Sequence, residues 1–67
     1  MKAADLVEGQ KIQDGEKELT VIRATSAMVL YSYVEYYPLY GTTDVETNYL
    51  SLRDAQRHID LGNWVIK

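Results

Sequence analysis

Two interleaved sets of side chains occupy residues 28–37: Met28, Leu30, Ser32, Val34 and Tyr36 in one, Val29, Tyr31, Tyr33, Glu35 and Tyr37 in the other. A period of two predicts a β-strand, because successive side chains of an extended chain point to opposite faces. The first set carries no charge and is expected to face the core. The second contains Glu35 and is expected to face solvent. A β-bulge near Ser32 would exchange the two faces beyond it. Pro38 ends the strand, since it has no amide to give to a ladder, and Tyr37-Pro38-Leu39-Tyr40-Gly41 reads as a turn.

The same reading extends in both directions. Residues 3–8 suit one helical turn, closed by Gly9 at a position that favours positive φ. Residues 10–13 read as a short strand around Ile12, Asp14-Gly15 as a tight hairpin turn, and residues 19–25 as a second strand rich in β-branched side chains. Residues 25–27 make a turn before the long strand. Beyond the Pro38 turn, Thr42, Thr43 and Asp44 extend the loop, and residues 45–50 return as a strand. Ser51-Leu52-Arg53-Asp54 fits a capping box, with a serine acceptor at the N-cap and an acid three positions later. Leu52, Ala55 and Ile59 form a narrow apolar stripe, Arg53, Gln56, Arg57 and Asp60 cover the outside, and Gly62 stops the helix. A helix over about 52–61 therefore precedes a short C-terminal strand at residues 64–67.

This order predicts a mainly β domain with one helix: a small, strongly bent antiparallel sheet that nearly closes on itself, as in an SH3-like barrel. Partial closure would also protect strand edges. An open α+β sheet with the helix across one face is the alternative. Leu6-Val7-Glu8-Gly9-Gln10-Lys11-Ile12, followed by Leu19-Thr20-Val21-Ile22, resembles the opening of small SH3-like domains. The ending, Ser51-Leu52 with Ile59-Asp60-Leu61-Gly62-Asn63-Trp64, is similar to those of small accessory proteins from bacteriophages and mobile elements. The two stretches cover about half of the chain. The resemblance implies compact size, action in a bacterial cytoplasm and interference with a host protein; it transfers no functional residue.

Size changes this picture little. With 67 residues there is one domain, 1–67, of a length that buries only ~60% of the surface exposed by its unfolded chain. No cysteine and a single histidine exclude a disulfide framework and a Cys/His zinc site. No apolar stretch is long enough for a signal peptide or for the ~20 residues of a membrane span. A soluble, cytosolic domain with no membrane association is expected, stabilised by packing and open to homo-oligomerisation.

Composition adds more. All six tyrosines fall between residues 31 and 49, and phenylalanine is absent. A tyrosine couples a flat apolar ring to a hydroxyl that needs water or a partner. Tyr36 and Tyr49 suit cross-strand packing, and Trp64 is expected to anchor the core. Tyr31, Tyr33, Tyr37 and Tyr40 beside Glu35 are the candidate recognition face. The net charge is −3, and between Arg23 and Arg53 there is no Lys or Arg, whereas Glu35, Asp44 and Glu46 all carry negative charge. Single-strand nucleic-acid binders place cations beside their stacking aromatics, so this distribution disfavours nucleic acid and favours a partner with a basic surface.

Candidate chemistry is sparse. His58 can pair with Asp54 on the helix, but Ser26, Ser32 and Ser51 sit in no nucleophile motif, so no catalytic residue is assigned. Asp44 and Glu46 can point the same way from a strand, yet a hard cation needs six or more oxygens, so no metal or cofactor is assigned. The expected function is a non-catalytic protein-binding module, a phage-type inhibitor or modulator of a bacterial host protein, using Tyr31, Tyr33, Glu35, Tyr37, Tyr40, Asp44 and Glu46. The alternatives are a nucleotide-type small ligand stacked on the tyrosines and, third, single-stranded nucleic acid on a small barrel.

Overall fold

In the computed structural model, which describes residues 1–67, a 3₁₀ turn at Ala3–Asp5 leads into strands β1 (Lys11–Asp14), β2 (Lys17–Ala24), β3 (Met28–Tyr37) and β4 (Thr42–Ser51). Helix α1 (Leu52–Asp60) and strand β5 (Trp64–Ile66) complete the chain. All strands belong to one antiparallel sheet in the order β4-β3-β2-β1-β5. No pairing joins β4 to β5, so the sheet is open with these two as its edges. The expected near-closure is not seen: α1 packs against β3, β4, β5 and the N-terminal turn, and covers one sheet face.

Local chemistry explains most boundaries. Gly15 takes φ 59° as the first of two residues between the paired Asp14 and Lys17, the place where a tight hairpin favours glycine. The reversal is thus centred on Gly15 and Glu16, one residue later than Asp14-Gly15. Thr25 Oγ1 accepts from the amides of Ala27 and Met28, both at 3.1 Å, and organises the β2–β3 turn. At the far turn, Tyr37 O accepts from the amides of Tyr40 and Gly41. Thr42, Thr43 and Asp44 belong to β4 rather than to the loop, because the turn closes directly on the Tyr37–Thr42 pair. Ser51 Oγ accepts from the Asp54 amide at 3.1 Å, as the capping sequence requires.

The core gathers Ile12, Leu19, Val21, Val29 and Tyr31 from the sheet, Ala55 from α1, Ala3 and Leu6 from the N-terminal segment, and Trp64 from β5. The faces of β3 are opposite to expectation: Val29 and Tyr31 point inward, while Met28, Val34 and Tyr36 are exposed. Pairing with β2 decides this. Val21 lies opposite Tyr31, and a bulge between Val21 and Arg23 brings Ala24 opposite Val29. A regular ladder would have put Arg23 opposite Val29 on the core face; the bulge moves its charge outward. The irregularity thus lies in β2, not near Ser32.

Gln56, which the helical pattern places outside, accepts from the Ala3 amide at 2.7 Å and donates to Met1 O at 3.0 Å. It fastens the N-terminal turn to α1. No helix is long and apolar enough to cross a membrane.

Candidate functional site

The far half of the β3–β4 hairpin extends past the packed core. Residues directly opposite on adjacent strands share a sheet face. The register therefore places Tyr33 with Glu46, Glu35 with Asp44, and Tyr37 with Thr42 on the face that, nearer α1, holds Val29, Leu50 and Tyr31. Tyr33, Glu35, Tyr37, Asp44 and Glu46 come together as the sequence suggested, on a continuation of the core face. Tyr40 lies in the turn beyond them and is 79% exposed.

Tyr31 does not belong to an outward surface. It is 9% exposed and meets Trp64 edge-on, with ring centroids 5.7 Å apart and planes at 83°. Burial pushes its phenol pKa up, assisted by the neighbouring Tyr33. Tyr33 follows at 6.2 Å, tilted by 36°, and is half-buried. Trp64, Tyr31 and Tyr33 thus form an aromatic row from the core to the acidic region.

The acidic region has a defined internal structure. The Tyr37 hydroxyl donates to Glu46 Oε1 at 2.7 Å. That bond, with further contributions from desolvation and nearby carboxylates, pushes the Tyr37 pKa up to about 12. Lys17 Nζ approaches Glu35 at 3.4 Å and lies 4.7 Å from the Tyr33 ring centroid. Of the three carboxylates only Glu35 is ion-paired; Glu46 accepts from the Tyr37 hydroxyl and Asp44 from the Val45 amide. The arrangement offers acceptors and negative charge, and the Tyr37 hydroxyl proton is already committed to Glu46.

Sequence reasoning missed the opposite face. Tyr36 and Tyr49, expected to pack, are 60% and 61% exposed. Val34 and Val45 are paired across the strands and both exposed; with Met28, Tyr36 and Tyr49 they give the outer face an apolar stripe. The alternation of residues 28–37 held this signal once the correct face was known. Lys17 was also missed, although its position at the start of β2 follows from the hairpin register.

His58 lies elsewhere. Its ring stacks on Trp64 at 5.6 Å and 17°, and Nδ1 is 3.5 Å from Asn63 Nδ2. It forms no ion pair with Asp54. Ser51 is occupied as the helix cap. No family model, curated protein or solved structure matches this chain.

Proposed function

We propose that this protein is a non-catalytic protein-binding module that takes a partner with a basic surface through the far half of the β3–β4 hairpin. The placing of Glu35, Asp44 and Glu46 on one face of the hairpin, with only Glu35 ion-paired to a lysine, carries this reading. Negative charge held on a strand pair steers a cationic partner over about a Debye length, ~10 Å at 0.1 M salt. Tyr37, fixed by Glu46, and Tyr40 at the tip supply rigid contact area that loses little side-chain entropy on binding. The strand order, with α1 between β4 and β5, supports reading the sheet as an SH3-like barrel left open. The resemblance to small phage accessory proteins makes a bacterial host protein the first partner to seek, with the module acting as its inhibitor or modulator.

Capture from bacterial lysate, followed by mass spectrometry and binding of the purified partner, tests the proposal. The combined Glu35→Gln, Asp44→Asn and Glu46→Gln variant should keep its melting temperature and lose most of the captured partner, and added salt should weaken wild-type binding. A partner held equally by wild type and the neutral variant at all salt concentrations would overturn the reading.

A further inference from the structure

The outer edge of β4 adds a specific mode of recognition to the proposed function. The amide of Val45 is taken by Asp44 Oδ1 at 2.9 Å, and that of Tyr49 by Asn48 Oδ1 at 2.8 Å. Hydrogen-bonding direction alternates along an antiparallel strand. The other side of the sheet agrees on the same phase: Val21 N and O bond Gln10 O and Gly9 N, toward β1. Thr20, opposite Ser32, therefore faces β3, and counting across the register turns the even residues of β4 toward β3. Val45, Thr47 and Tyr49 are left with N–H and C=O groups directed away from the sheet.

An edge of this kind is a template for another strand, and proteins usually blunt it with charged side chains (above all Lys), inward-pointing charges, Pro or a bulge. β4 runs ten residues without Lys, Arg or Pro, and its pairing with β3 is unbroken; its only charges, Asp44 and Glu46, repel a strand of like charge but not a cationic one. Its only cover at Val45 and Tyr49 is the two short side chains of Asp44 and Asn48. These bonds are local and exposed, so an incoming carbonyl can replace each of them at small net cost.

We infer that β4 accepts an extended peptide segment as a sixth strand, and that the segment alternates basic and apolar residues. The chemistry of the two faces sets that pattern. On the inner face the added strand meets Asp44 and Glu46, which match Lys or Arg; on the outer face it meets Val45 and Tyr49, which match apolar side chains. Displacement from the Val45 amide frees the Asp44 carboxylate to pair with a cation of the new strand. A second copy of this chain is the weaker occupant. A two-fold axis through Thr47 would bring Glu46 diagonally near its symmetry mate, and each copy carries a net charge of −3.

This inference rests on the basic-partner reading, and the experiment separates the two. A labelled peptide alternating Lys and Val is titrated into wild type, into Thr47→Pro and into the charge-neutral triple variant, with a peptide alternating Glu and Val as control. Proline is tolerated on an edge strand where its missing amide would have faced outward, so Thr47→Pro should fold and bind at least about tenfold more weakly, a change of ~1.4 kcal/mol. Amide exchange on wild type needs no variant: the Lys-Val peptide should newly protect Val45, Thr47 and Tyr49. Equal affinity for Thr47→Pro with no new protection overturns strand addition and leaves the basic-partner reading intact. Equal binding of the Glu-Val peptide, or by the triple variant, overturns both. Failure of wild type to bind the Lys-Val peptide overturns strand addition, as does a wild-type dimer that Thr47→Pro converts to monomer, since the occupant would then be a second copy.

Discussion

Along the β3–β4 hairpin, one end is core and the other is surface, although both follow the same two-residue alternation. Near α1, Val29 pairs with Leu50 and Tyr31 with Asn48 beneath the helix and beside Trp64; farther out, the same face carries Tyr33 with Glu46 and Glu35 with Asp44. Length explains the change. A nine-residue helix is roughly 14 Å long and a ten-residue strand roughly 34 Å, so α1 cannot cover the whole hairpin. The long axis of the molecule, 38 Å, fits that overhang. A sheet face is therefore inside only where another element covers it, and the uncovered part is free to carry charge and tyrosine.

The contrast breaks most visibly at Trp64. It meets Tyr31 edge-on and His58 face-on, and it is 3% exposed. Trp64→Ala should cost about 3–5 kcal/mol, against a typical total of about 5–15 kcal/mol for a domain. Chemical denaturation should show a largely unfolded or severely destabilised chain. Gln56→Ala is next. It leaves the Ala3 amide without its acceptor in a partly buried position, for about 1–3 kcal/mol. Loss of the Met1 and Ala3 tether should also raise amide exchange in the N-terminal turn while the β3–β4 ladder stays protected.

These two residues differ in how visible their roles are in the sequence. Trp64 was legible because a domain of this size needs its largest side chain inside. Ser51, Gly15 and the limits of β3 were legible because caps, turns and strand ends are decided within a few residues. Gln56 was not, since its partners lie 53 and 55 positions away and a helical pattern places it outside. The facing of β3 failed for the same reason: Val21 and the bulge after it decide which set points inward, and both lie on another strand. In the candidate site, the common face of Asp44 and Glu46 was readable from their spacing. Joining them to Glu35 and Tyr37 required the turn length, and β4 begins at Thr42, not after Asp44.

At the uncovered end, substitutions should affect stability far less. Val34 and Val45 oppose each other on the outer face with more than half of each side chain exposed. Changing both to Thr keeps β-branching and removes apolar surface from water. The expected shift in folding free energy is within about 0.5 kcal/mol, as for most surface changes. Thermal denaturation that dropped as far as for Gln56→Ala would mean that the outer stripe is packed in solution, which would end the contrast between the two halves.

The finest test is the protonation of Tyr37. Its hydroxyl donates to Glu46 at 2.7 Å, and its pKa rises from 10.0 to about 12. The proton is thus held more tightly in the folded chain than in the unfolded one. The resulting stabilisation is fully present below pH 10, declines as pH rises from 10 and is lost on passing through about 12, where the phenolate would face the Glu46 carboxylate. The group is solvated, so the effect on stability should be small and the spectroscopic one clear. Subtracting the tyrosinate titration of Tyr37→Phe from that of wild type should isolate one phenol ionising near 12. Glu46→Gln should return that transition toward 10.0, because an amide oxygen accepts the same proton without the negative charge that holds it. A Tyr37 transition already near 10 in wild type would show that the hairpin end does not hold its acids and hydroxyl together, and the preorganised acidic face would be lost with it.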